Sequence, residues 1–184
     1  MRIVLLVSVL VARSPLSNAA DTTAINGTRS ESSMTYHIHH PLHEVEATSK
    51  DLQCRITYNA ATGEILHAFF SADVTSFDSG NSNRDSHAME VLDALSYPTV
   101  SFNSKSITTT GTNLTVGGDL NFHGRTKPIV FAATTAKAAD KLTVDGQANV
   151  SLTAFEIDRP SLLMIPVDDT LKISFIVVFP LAAK

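Results

Sequence analysis

SGNSNRDSHAMEVLDALSYPTVSF, the run from Ser79 to Phe102, holds a turn, a helix and the start of a strand. Gly80 and Asn81 suit a turn, because both tolerate positive φ. Ser82 stands three residues before Asp85, the spacing of a capping box that satisfies unpaired N–H groups in a first helical turn. Ala88, Val91, Leu92 and Leu95 follow at i, i+3, i+4 and i+7, one apolar stripe that predicts a short helix from Asp85 to Leu95. Pro98 disfavours the α region for Tyr97 and so ends it. Val100 and Phe102 then resume with a period of two.

Strand signals dominate on either side of this helix. Leu114, Val116, Leu120 and Phe122 share one parity, and Leu142, Val144, Ala148, Val150 and Leu152 share another. Each set contains a glycine, Gly118 or Gly146, where a long strand can bend as a closing sheet requires. Ile129, Phe131 and Ala133 make a shorter set, and Leu171, Ile173, Phe175, Val177 and Phe179 form one face of the last strand. Long antiparallel strands joined by tight turns point to a closed barrel in preference to a sandwich. Ile176 and Val178 are apolar on the opposite face of the last strand, so that face needs cover. The helical stripe is the natural cover, and a second subunit is the alternative.

The chain has 184 residues, a length that suits one domain. Its net charge of −4, with scattered lysines and arginines, offers no electrostatic case for nucleic acid or an anionic membrane. Met1-Arg2, the apolar run Ile3 to Ala12, and Ser17-Asn18-Ala19 read as the three parts of a signal peptide over residues 1–19. That run is too short for a membrane-spanning helix. Residues 20–33 are polar and aperiodic and read as a flexible lead-in. Residues 34–184 form the barrel domain. Cys54 is the only cysteine, so no internal disulfide forms, and it reads as a small buried hydrophobe.

Two ordered blocks carry a family resemblance. The first comprises Ser79, Gly80, Asn81, Arg84, Asp85 and His87, followed by Tyr97, Pro98, Thr99 and Phe102. The second is Gly118-Asp119-Leu120-Asn121-Phe122-His123-Gly124 with Thr126-Lys127-Pro128. A looser third block runs Phe155, Ile157, Asp158, Arg159, Pro160. In these blocks the chain resembles the YceI-like family of lipid-binding proteins, from about Tyr36 to Phe179. The resemblance implies a lipocalin-like antiparallel barrel that holds an isoprenoid chain in its lumen, in a bacterial periplasm or secreted.

The expected fold is therefore all-β: an antiparallel lipocalin-like β-barrel of about eight strands with one short amphipathic helix. A barrel of that size is either filled by side chains or wide enough for one small ligand. Composition leaves these two even, and the resemblance favours the ligand: an isoprenoid lipid or quinone, with no other cofactor. Phe102, Val116, Phe122, Phe131, Val150 and Phe175 lie on the apolar parity of their strands and are the expected lumen lining. Arg84, Asp85 and His87 are expected at the mouth, where a ligand head group would lie. His87 beside a carboxylate can also be read as a general base. No activated nucleophile accompanies it, so the protein is read as a non-catalytic binder. An enzyme using the Asp85 and His87 region and a filled-core structural module are the competing readings. The cluster His37, His39, His40 and His43 lacks partners that complete a tetrahedral set, and no metal site is assigned.

Export makes a direct prediction. Protein isolated from its native host should begin near Ala20, because Ser17 and Ala19 match the small-residue preference of signal peptidases. N-terminal sequencing checks this, and soluble protein retaining Met1 would contradict it.

Overall fold

The structure, a computed structural model, describes residues 22–181. The expected signal segment lies outside the described residues. Twelve strands and one α-helix follow in chain order: β1 (Thr22–Asn26), β2 (Ser33–His40), β3 (His43–Ser49), β4 (Leu52–Asn59), β5 (Glu64–Asp73), α1 (Ser82–Val91), β6 (Thr99–Thr110), β7 (Asn113–Phe122), β8 (Arg125–Ala138), β9 (Lys141–Ser151), β10 (Ser161–Leu162), β11 (Ile165–Pro166) and β12 (Thr170–Pro180). Ten of them form one antiparallel sheet in the order β1-β4-β5-β6-β7-β8-β9-β12-β2-β3, and β10 with β11 makes a separate small hairpin. The sheet thus exceeds the expected eight strands because short β1 and β3 extend its two ends.

Those ends curl towards each other. The Gly27 amide donates to the Cys54 carbonyl (2.8 Å) and the Thr28 amide to the Val178 carbonyl (2.7 Å), which stitches β4 to β12. Thr48 and Asp78 exchange a pair of backbone bonds at 3.0 and 3.1 Å, which ties β3 to the segment after β5. These links blunt edges that would otherwise present unpaired backbone groups.

Of the expected flexible lead-in over residues 20–33, the described part, from Thr22 on, carries a strand and a short 3-10 turn. Thr22 to Asn26 pair with Asn59 to Arg55 of β4. Four of the five β1 residues are exposed. Backbone pairing to an open edge, not side-chain burial, holds this strand, so no apolar period announces it. Ser32 then donates its hydroxyl to the Thr28 carbonyl (2.8 Å) and accepts from the Val178 amide (3.1 Å).

The helix differs from expectation at both ends. Asn81, not Ser82, is the N-cap: its side-chain oxygen accepts from the amides of Asn83 (3.1 Å) and Arg84 (3.2 Å). Asp85 reaches back to the Ser79 amide (3.1 Å). The C-terminus comes before Pro98, because Asp93 takes a positive φ of 42°. Its amide donates to Glu90 O (3.0 Å) and the Ala94 amide to Met89 O (2.9 Å), a Schellman closure. Leu95 is therefore outside the helix and 98 % exposed. The helix does not cover Ile176 and Val178. Val178 is buried beneath the Gly27–Ser32 segment, and Ile176 remains exposed.

The two glycines expected as bends are sites of close approach. A Cβ on Gly146 would stand 2.3 Å from Cζ of Phe175. A Cβ on Gly118 would stand 2.3 Å from the Asn103 carbonyl oxygen, 2.6 Å from Cζ of Phe102 and 2.7 Å from the Ser104 Cα. Gly118 also faces the irregularity in β6 between Ser104 and Ser106. The two sites differ in what must yield: a ring tip at Gly146, backbone at Gly118. Gly118→Ala should therefore cost about 3 kcal/mol and Gly146→Ala about 1 kcal/mol, the two ends of the overpacking range. Chemical denaturation of both variants checks the order, and equal costs would contradict it.

Candidate functional site

Alternation along each strand of the curled sheet sends one row of side chains inward. β4 contributes Leu52, Cys54, Ile56 and Tyr58, all buried. β7 contributes Leu114, Val116, Leu120 and Phe122, and β9 contributes Leu142, Val144 and Val150. The inward rows do not fill the space they enclose. A cavity of about 530 Å³ remains, lined from β2 round to β12. Several inward apolar residues, among them Phe70, Ile129, Phe131, Ile173 and Phe175, are only half-buried, because they face this space. The volume lies within the usual range for small-molecule sites, roughly 300–1,000 Å³.

Three rings shape one wall. Phe131 on β8 meets Phe102 at a centroid distance of 5.2 Å and Phe175 at 5.7 Å, both edge-on. Phe102 lies over Gly118 of β7 and Phe175 over Gly146 of β9. These two strands flank β8. The glycines thus let rings from β6 and β12 lean onto the sheet and converge on Phe131, leaving the centre open. Cys54 also lines the cavity, and burial pushes its thiol up to about 12, so it is a neutral apolar contact.

All six residues expected to line the lumen, Phe102, Val116, Phe122, Phe131, Val150 and Phe175, border this one cavity. Arg84, Asp85 and His87 of α1 border it as well. So do Ala88, Val91 and Leu92, so the helical stripe faces the cavity and closes part of one end. The polar end is completed by Tyr36, His40 and His43 from β2 and β3. Burial, then the Asp85 carboxylate, raises the Tyr36 phenol above its usual pKa, while Arg84 opposes them. Tyr36 is thereby a neutral hydrogen-bonding group with a carboxylate and a guanidinium for neighbours. Among the described residues, no carboxylate lies within ion-pair distance of Arg84.

The walls from β2, β3 and β5 are the part that sequence reasoning missed, whereas Cys54 on β4 is the buried hydrophobe it was read to be. Tyr36, Ile38 and His40 are inward and alternate with outward His37 and His39, so two faces of similar residue types hide the period. On the outer face His37 pairs with Glu46 (3.1 Å) and His39 with Glu44, and the Glu44 hydrogen bond raises the His39 pKa. His40 is 1 % exposed and both of its nitrogens are engaged: Nδ1 accepts from the Leu42 amide (3.1 Å), and Nε2 donates to the Ile165 carbonyl (2.9 Å). Its role is to tie the β10–β11 hairpin to the β2–β3 turn. His123 likewise bonds the Phe155 carbonyl (3.2 Å) and packs against Tyr97. His87, on the cavity's border, has Glu90 as its ion-pair neighbour at 3.7 Å, with both side chains largely exposed. Among the described residues, no three or more His, Cys, Asp or Glu side chains converge as a metal site.

The family model described as "YceI-like domain" matches residues 25–179, so the match begins within β1. A UPF0312 protein of Pseudomonas putida is 33% identical over 93 residues, covering 49% of this chain and 48% of that protein. One of Vibrio cholerae is 36% identical over 80 residues, covering 42% of each. The chain spans about half the length of the curated relatives it matches. Among solved structures, Burkholderia cenocepacia BcnA superposes with a TM-score of 0.75 at 22% identity, over 83% of this chain and 98% of that one. A Campylobacter jejuni YCEI protein gives 0.67 at 19% identity, over 76% and 86%. A polyisoprenoid binding domain from Saccharophagus degradans, implicated in plant cell wall breakdown, gives 0.65 at 10% identity, over 86% and 98%. These structural likenesses concern the lipocalin-like fold. With a family model matching nearly the whole described barrel, this chain belongs to the YceI-like family.

Proposed function

We propose that this protein is an exported, non-catalytic binding protein that holds one chain-shaped apolar lipid, of isoprenoid type, in its lumen. The open apolar cavity of about 530 Å³ carries this reading. A filled-core module would have packed that space at crystal-like density. A polyisoprenoid binding domain of the same fold supports the choice of ligand class. Each 100 Å² of ligand apolar surface removed from water contributes roughly 2.5 kcal/mol, before the cost of association is subtracted. The ring wall of Phe102, Phe131 and Phe175 supplies that contact. At the polar end, Arg84, Asp85 and Tyr36 provide a cation, an acceptor and a neutral hydroxyl for a head group.

The competing enzyme reading rests on Asp85 and His87, which border the cavity. The sequence offers no activated nucleophile to accompany them, and the mainly apolar lining favours binding of an apolar chain. The buried His40 is no candidate base, because both of its nitrogens bond backbone.

Organic extraction and mass spectrometry of protein purified from its native host should yield a bound isoprenoid lipid. Phe131→Asp places a carboxylate in an apolar lumen and should abolish that binding. Ala148→Phe occupies the cavity without adding charge, because Ala148 also lines it. It should weaken binding of an added isoprenoid alcohol about tenfold or more while the protein stays folded by circular dichroism. Full retention of ligand by folded Ala148→Phe protein would contradict the lumen assignment.

A further inference from the structure

We infer that the tip of the β10–β11 hairpin is a docking element that inserts Leu163 and Met164 into a neutral lipid bilayer beside the cavity mouth. The inference rests on the reading of the cavity as an apolar-ligand site.

The tip is built in an unusual way. Leu162 pairs with Ile165, so Leu163 and Met164 form a two-residue turn. Their φ angles are 53° and 66°. Turns with two positive φ values favour Asn-Gly, because Cβ atoms are penalised there. Leucine and methionine accept that strain and gain no burial in return, being 75 % and 95 % exposed. Both side chains project from a firmly tethered base. The Val167 amide donates to the Pro160 carbonyl (2.9 Å), and the Asp168 amide donates to the His39 carbonyl (2.8 Å). Arg159 Nε donates to the Val167 carbonyl (2.7 Å), and His40 Nε2 donates to the Ile165 carbonyl (2.9 Å).

Charge and area select the occupant. The run from Pro160 to Val167 contains no charged residue, and the whole chain carries −4, so an anionic surface is disfavoured and a neutral lipid surface fits. Exposed Leu42, brought close through His40, joins Leu162, Leu163, Met164 and Ile165. This patch of five residues falls far short of the roughly 20–30 residues per side of a stable protein interface, so a second copy does not fit. Insertion of an apolar tip into the headgroup boundary requires no such area. Position completes the argument. Ser161 and Leu162, at the base of the hairpin, line the cavity. A docked tip would therefore set the mouth against the bilayer, where an apolar chain passes without crossing water.

The test compares the protein with a Leu163→Asn/Met164→Gly variant. Neither residue lines the cavity, and Asn-Gly relieves the turn strain, so the variant should melt no lower than the parent. Co-sedimentation with phosphatidylcholine vesicles should fall about tenfold or more, the scale for losing two inserted apolar side chains. Uptake of a hydrophobic fluorescent probe from solution should be unchanged. Equal vesicle binding by both proteins, no vesicle binding by the parent, or binding confined to phosphatidylglycerol vesicles would overturn the inference. A parental dimer in analytical ultracentrifugation that the variant dissociates would overturn it too. Probe uptake failing in both proteins refutes the cavity reading instead, and vesicle binding lost only in the variant still supports the docking tip.

Discussion

Two aromatic rings lying on two glycines determine whether this barrel is hollow. Phe102 covers Gly118 and Phe175 covers Gly146, at separations that any side chain on either glycine would violate. Rings of this volume placed inward from β6 and β12 would otherwise occupy the lumen. Leaned against the sheet, they build a wall with Phe131, and the residues opposite lack atoms to close the gap. The half-exposure of Phe131 and Phe175, inward side chains in a long antiparallel sheet, is the direct consequence. The hydrophobic effect that elsewhere drives core packing is here left incomplete, and an apolar ligand would complete it.

The ends of the barrel are governed by polar satisfaction instead. At the end bearing α1, the chain passes from β5 to β6 through the helix and from β9 to β12 through the hairpin. Each connection is pinned by side-chain hydrogen bonds: Asn81 to the first helical turn, His40 to Ile165, His123 to Phe155, Asp169 to Ser151 and Thr153. Those last two bonds hold the Asp169 carboxyl below its usual pKa. No buried side-chain nitrogen or oxygen is left unpartnered among the described residues. The apolar wall and the polar frame thus divide the work, one shaping the space and the other positioning the elements that surround its mouth.

The second half of the barrel was legible in sequence because β7, β8 and β9 each alternate an inward apolar row with a more exposed outward one. Val116, Phe122, Phe131 and Val150 sit on clean two-residue periods, and the structure brings all of them to one cavity. The first half was not, for reasons that differ by element. β1 is held by backbone pairing and buries almost nothing. β2 alternates histidines on both faces, so polarity carries no phase. The helix ends at Asp93 by adopting a left-handed residue, which ordinary propensity does not reveal, and Leu95 falls off the stripe. The β10–β11 turn carries Leu163 and Met164 where turn chemistry calls for Asn-Gly, so it gave no hairpin signal. The cover of Val178 came from the segment around Thr28 and Ser32, whose polar side chains act through hydrogen bonds to β12.

The hollow lumen as an apolar-ligand site is the central claim, and intermolecular NOE spectroscopy with an isoprenoid alcohol and methyl-labelled protein tests it most directly. Val116 and Val150 report from the lumen, whereas Val130 and Ile176 report from the exposed outer face. Ligand methyl groups should show contacts to Val116 and Val150 and to the Phe131 ring, with none to Val130 or Ile176. Contacts confined to Val130 and Ile176, or none to the lumen at saturating ligand, would contradict the account.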